Sequence, residues 1–239
     1  MNETPQFSVI RHNHTQLEIH FSKALDNATL YWTRDRDIHT AERNLITDRI
    51  SGPVYFDDPL QARQRIYFIV EHAQNSWLFG ERTLPISGIN NFRDIGGYRG
   101  AGGKRVKWGL LYRSNHLYNL TPQAQAYLEG LEVKTIIDYR SANEIAKSPN
   151  GFIGENKTFH LDATAQTAEL AAQFAAEPSN EDRALIESVI RDIPAELING
   201  QGGQVIEQYR HFVLSDKSKK AFKAMINVLL DPGNTPNIQ

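Results

Sequence analysis

The sequence predicts an α/β domain, a parallel sheet with flanking helices, preceded by a small all-β, sandwich-like domain. Three observations predict it. Short runs of β-branched and aromatic residues, separated by turn residues, recur up to about residue 86. Beyond Leu84-Pro85, helical spacing of apolar residues sets in. One later run, Val133-Lys134-Thr135-Ile136-Ile137-Asp138, is compact and β-branched, as a buried parallel strand is. The expected division is residues 1–86 and residues 87–239.

In the first part, strands are expected at 7–10, 17–21, 29–33, 53–56, 65–70 and 77–79. Leu17-Glu18-Ile19-His20-Phe21 alternates apolar and polar, the pattern of a strand buried on one face. Asp26-Asn27, Ser51-Gly52-Pro53 and Asp57-Asp58-Pro59 supply the turns. In the second part, Thr121-Pro122 starts a helix, with threonine as N-cap and proline at the first helical position. Ala124, Tyr127, Leu128 and Leu131 form its apolar face, and Gly130 marks its end. Ser141 with Glu144 is a capping-box pattern for the next helix. A short strand is expected around Phe159-His160-Leu161. Further helices are expected at 168–176, around Leu185 to Ile190, and from Val205 to Val213, with a break at 200–203. The last helix is capped by Ser215 or Asp216 and carries Ala221, Phe222, Met225, Ile226 and Leu229 on one face. Lys217, Lys219, Lys220 and Lys223 at its start read as a solvated face.

Composition narrows the function classes. The net charge of -2 over 239 residues argues against a general nucleic-acid footprint. No apolar run approaches the roughly 20 residues that cross a bilayer. The N-terminus has neither the basic region nor the apolar core of a secretory signal, so a cytoplasmic protein is expected. There is no cysteine, which excludes disulfides, thiolate metal sites and a cysteine nucleophile within these residues. The eight histidines form no His-x-x-x-His or Glu-x-x-His cluster, so no metal is expected.

The stretch carrying most chemistry is Asn91-Phe92-Arg93-Asp94-Ile95-Gly96-Gly97-Tyr98. Its paired glycines reach positive φ without a Cβ penalty and read as a tight turn. Arg93 and Asp94 either pair with each other or leave Arg93 to hold an anion. Gly102-Gly103 and Gly109-Leu110-Leu111-Tyr112-Arg113-Ser114 follow. In this order the segments resemble the opening signature of a bacterial protein tyrosine/serine phosphatase family. Ile136-Ile137-Asp138-Tyr139-Arg140-Ser141, with Glu144 after it, is similar to that family's Asp-Leu-Arg-Ser segment. Tyr209-Arg210-His211-Phe212 is similar to the helix preceding its catalytic strand. The resemblance runs from about Leu84 to the end of the chain.

The resemblance implies a phosphotyrosine-phosphatase-like sheet and hydrolysis of phosphomonoesters through a cysteinyl-phosphate intermediate, without cofactor or metal. A phosphotyrosine protein, or another phosphomonoester, is the implied partner. Arg93 and Asp94 are placed beside the family's phosphate loop, with Arg113, Asp138 and Arg140 near the substrate. Asp162 is the candidate general acid, and His160 a strand-end histidine. The loop itself, His-Cys-x-x-Gly-Lys-Asp-Arg-Thr-Gly in the family, would follow the strand that Thr235-Pro236-Asn237-Ile238-Gln239 opens. The chain is therefore expected to be truncated before the loop and catalytically incompetent as written. An open sheet edge beside residues 133–137 is expected to promote self-association. The alternative is a non-catalytic remnant that binds a phosphorylated partner, or a binding module.

Overall fold

The computed structural model describes residues 5–163 and 203–238. The helices expected at 168–176 and around Leu185 to Ile190 lie outside the described residues, as do residues 200–202 of the expected break. The chain forms two compact units: Met1–Ile136 with Gly151–Lys157 and Thr235–Gln239, and Ile137–Asn150 with Thr158–Asn234.

The first unit opens with two antiparallel sheets. One has the order β1 (Phe7–Arg11), β2 (Gln16–Phe21), β5 (Val54–Asp57). The other runs β4 (Asn44–Thr47), β3 (Thr29–Thr33), β6 (Tyr67–His72), β7 (Asn75–Gly80). Alternation in β2 sends Leu17 and Ile19 inward, where they meet Leu30, Phe68, Val70 and Phe79 of the other sheet. The result is a sandwich with its own core. All the expected strands are present; β4 was missed because Asn44-Leu45-Ile46-Thr47 is short and lacks strict alternation. In β6, Tyr67 and Ile69 are as buried as Phe68 and Val70, so both faces of this strand are covered.

The same unit holds a second core made of Leu84, Phe92, Tyr112, Leu128, Ile136, Ile153 and Ile238, among others. The elements around it are β8 (Arg93–Asp94), β9 (Leu111–Arg113), helix α1 (Pro122–Glu129), β10 (Thr135–Asp138) and β12 (Asn237–Ile238). Burying each large apolar side chain contributes about 1.5–3 kcal/mol. Helix α1 starts as its sequence predicts: Thr121 Oγ1 accepts the Ala124 N–H at 3.1 Å, and Ala124, Tyr127 and Leu128 turn inward. The sheet order is β11 (Lys157–His160), β10, β12, β9, β8. Strand β12 runs parallel to both neighbours: Asn237 faces Thr135 and Leu111, and Ile238 faces Ile136 and Tyr112. This corrects the expected open edge. The chain's own residues 237 and 238 pair beside residues 135 and 136, because their backbone groups complete both ladders there.

The second unit contains the end of β10, helix α2 (Ala142–Lys147), helix α3 (Gly203–Leu214) and helix α4 (Asp216–Leu230). The capping box of α2 is formed at both contacts: the Ser141 side chain accepts the Glu144 N–H, and Glu144 accepts the Ser141 N–H. Ser215 caps α4 by accepting the Ser218 N–H. The buried line of α4 is Ser218, Ala221 and Val228, whereas Ile226 is 51% exposed. Of the expected face, Ala221, Phe222, Met225 and Leu229 are buried or half-buried and Ile226 alone turns outward, with Phe222 packed on Tyr139 and Phe212 and Ser218 Oγ donating to the Ala163 carbonyl. The four lysines at its start are exposed as expected.

Candidate active site

The signature turn is built around a carboxylate and an indole. Asp94 is fully buried, and its partner is Arg65 at 3.2 Å, not the adjacent Arg93. It also accepts the backbone N–H groups of Gly96 at 2.8 Å and Gly109 at 2.9 Å. Burial pushes the Asp94 carboxyl up, against the pull of Arg65 and of the two backbone donors. The double glycine has a packing reason. A Cβ on Gly96 would stand 2.5 Å from Trp108 Cα, and one on Gly97 would stand 2.8 Å from the indole ring. Gly97 also takes φ of 79°. Arg82 donates to the Asp94 and Gly96 carbonyls at 2.6 and 2.7 Å, and lies over the rings of Tyr98 and Trp108.

Arg93 occupies the other face. It stands directly opposite Arg113 across β8 and β9, while Asp94 stands opposite Tyr112. Because alternate residues leave opposite faces, both guanidinium groups project away from the core that holds Phe92 and Tyr112. Directly opposed Cβ atoms on an antiparallel pair lie about 4.5–5.5 Å apart, and like charges there repel. Among the described residues Arg93 Nε is buried without a hydrogen-bond partner, and Arg113 is exposed. Two cations on adjacent strands can share one anion bidentately.

In the second unit, Asp138 and Arg140 form a closed network. Arg140 Nη2 donates to Asp138 Oδ2 at 2.7 Å and Nε to Oδ1 at 2.9 Å. Arg140 also donates to the Ser148 carbonyl and to Asn150 Oδ1, and Asn150 Nδ2 donates to Asp138. Burial works against the Asp138 charge, but hydrogen bonds and charge from Arg140, with His160 nearby, outweigh it and hold the carboxyl below its usual range. This network ties the strand end to the loop after α2. Asp162 lies at the surface, paired with Lys217 Nζ at 2.7 Å. Among the described residues no group of three His, Cys, Asp or Glu could hold a metal, and no helix is long and apolar enough to cross a membrane.

The structure brings Arg93 and Arg113 together in one unit, and Asp138 and Arg140 in the other. Sequence reasoning missed Arg65, Arg82 and Trp108. A signal existed for Arg65, a lone charge opening the apolar run Ile66-Tyr67-Phe68-Ile69-Val70. None existed for the side chain that Asp94 would choose, since Arg65 lies 29 positions away.

Parts of this sequence match known proteins. A Cupriavidus necator protein, provisionally named as a tyrosine-protein phosphatase, is 40% identical over 70 residues. The match covers 29% of this chain and 25% of that relative, so the chain spans about a quarter of its length. The model of the tyrosine phosphatase family matches residues 84–238, from the buried Leu84 through the Asn-Phe-Arg-Asp turn to Ile238. The chain belongs to the tyrosine phosphatase family.

Proposed function

We propose that the protein containing these residues hydrolyses phosphomonoesters, with phosphotyrosine on a protein as substrate, through a cysteinyl-phosphate intermediate. A thiolate attacks phosphorus and expels the phenolate, a carboxylic acid supplies the leaving oxygen's proton, and water then releases phosphate from sulfur. The observation that carries the reading is the opposed pair Arg93 and Arg113 on strands β8 and β9, beside β12. Two guanidinium groups without an acidic partner among the described residues suit a phosphoryl dianion, whose oxygens accept from both. Asp94 supports that strand pair from below, Asp138 and Arg140 fix the end of β10, and Asp162 is the candidate acid once its pair with Lys217 opens. The 239 residues contain no cysteine. The nucleophile in this reading therefore comes from sequence outside them, and the chain as written is catalytically incompetent.

The test compares residues 1–239 with a version extended through a His-Cys loop, on p-nitrophenyl phosphate and a phosphotyrosine peptide. The shorter chain should release no phosphate. The longer one should do so, blocked by vanadate and thiol alkylation but not by EDTA. Vanadate-sensitive turnover by the shorter chain would overturn the mechanism. The absence of cysteine favours a second reading, a non-catalytic protein that binds a phosphorylated partner. Sequencing past the codon for Gln239 separates the two: an in-frame His-Cys loop supports the enzyme, and an immediate stop supports the binding protein.

A further inference from the structure

The segment from Arg82 to Arg113 is far more basic than the rest of the chain. Seven of its side chains are Lys or Arg, and Asp94, buried on Arg65, is its one acid. Much of this charge sits on a hairpin of residues 98–106. Val106 N–H donates to the Tyr98 carbonyl at 2.9 Å, and Gly100 N–H to the Lys104 carbonyl at 2.8 Å. Arg99 and Arg105 face each other across it as a bridge pair. Like charges so opposed repel unless an anion lies between them.

Under this hairpin is a groove of about 330 Å³, lined by Arg82, Arg99 and Arg105 and by the rings of Phe7, Trp77, Tyr98 and Trp108, with no Asp or Glu among the described residues of its lining. That volume is at the lower end of the roughly 300–1,000 Å³ of small-ligand sites. Two of the guanidinium groups are already held in position. Arg82 is fixed by the Asp94 and Gly96 carbonyls and by the rings of Tyr98 and Trp108, at 4.2 and 4.7 Å. Arg105 Nη1 donates to the Gly97 carbonyl at 2.8 Å. Each uses one nitrogen for anchoring, so a ligand meets donors whose orientation is fixed in advance, which lowers the entropy lost on binding.

We propose that this groove is a second binding site, taking a phosphotyrosine side chain of a protein: the ring against the aromatic wall, the phosphate between Arg99, Arg105 and Arg82. An aliphatic phosphate would leave the rings unused, and a neutral aromatic would leave three cations uncompensated. The choice of phosphate over another dianion rests on the phosphatase reading; the groove's demand for an aromatic anion does not. Such a site would tether a doubly phosphorylated partner while the catalytic site acts elsewhere on it.

Binding to residues 1–239 tests this separately from catalysis, because the chain has no cysteine to consume the probe. A phosphotyrosine peptide should quench tryptophan fluorescence saturably, and the phosphoserine version of the same peptide should bind at least roughly tenfold more weakly. Arg99→Glu with Arg105→Glu should lose at least about tenfold in affinity, the scale of one charge-assisted hydrogen bond. Lys219→Glu with Lys220→Glu, exposed on α4, should bind as the parent does. If the double reversal does not fold, judged by circular dichroism, Arg105→Gln serves in its place, with a smaller loss expected. Equal affinity for both peptides, unchanged binding in the arginine variants, or stronger binding to phosphatidylserine vesicles or single-stranded DNA would each overturn the proposal. Failure here with vanadate-sensitive activity in the extended protein would leave the phosphatase reading standing.

Discussion

Asp94 of the signature turn reaches past its neighbour Arg93 to pair with Arg65, 3.2 Å away in the segment just before β6. The pair joins the two hydrophobic cores of the first unit, since Arg65 adjoins β6 of one and Asp94 lies in β8 of the other. Breaking a buried pair leaves one uncompensated charge, at a cost of about 3–5 kcal/mol. Asp94→Ala should therefore lower stability by that amount in urea denaturation. Replacing both partners, Arg65→Met with Asp94→Leu, should recover part of the loss. A single substitution that costs under 1 kcal/mol would refute the bracing role.

Glycine is required at position 96 by packing, and this separates it from other glycines in the chain. Gly96→Ala would drive a Cβ into the Trp108 backbone, so a loss of about 1–3 kcal/mol is expected from thermal melts. Gly52→Ala has no heavy atom within 4 Å of the added Cβ and should change stability little. Similar melting of the two variants would count against the contact.

The network of Asp138 and Arg140 makes stability depend on acid. The Asp138 carboxyl titrates below its usual range in the folded state. Its contribution is complete above the unfolded value of about 3.9 and is lost as pH falls through the lower folded value. Asp138→Asn should be less stable near neutral pH and decline less steeply below pH of about 4. Parallel urea-midpoint curves for the two proteins from neutral to acid pH would show that Asp138 does not contribute.

Arg93 and Arg113 should reveal an anion by linkage. Relieving the opposed charges with Arg113→Gln should leave the ligand-free chain as stable, or more stable by up to about 1 kcal/mol. Vanadate or phosphate should raise the melting temperature of the parent and do so less in the variant. Equal shifts in both would remove the pair from the site.

Much of this fold was legible in local sequence, because local chemistry dictates it. Alternation marked β2, a threonine and proline started α1, a serine and glutamate capped α2, and Ser215 capped α4. Each depends on residues within a turn or two of one another. The Asn-Phe-Arg-Asp-x-Gly-Gly-Tyr string likewise carried the family, as the match to residues 84–238 bears out. What the string could not disclose is why its residues are needed. The partner of Asp94 lies in a distant segment before β6, the indole that demands two glycines is Trp108, and Arg93 faces Arg113 because β8 and β9 pair in that register. The outward turn of Ile226 at the margin of the expected face of α4 was equally hidden, since the packing of Phe222 on Tyr139 and Phe212 sets the rotation of the helix. Propensity and capping act over a few residues, whereas charge pairing, ring contacts and strand register are decided where distant segments meet, and that meeting belongs to the tertiary structure alone.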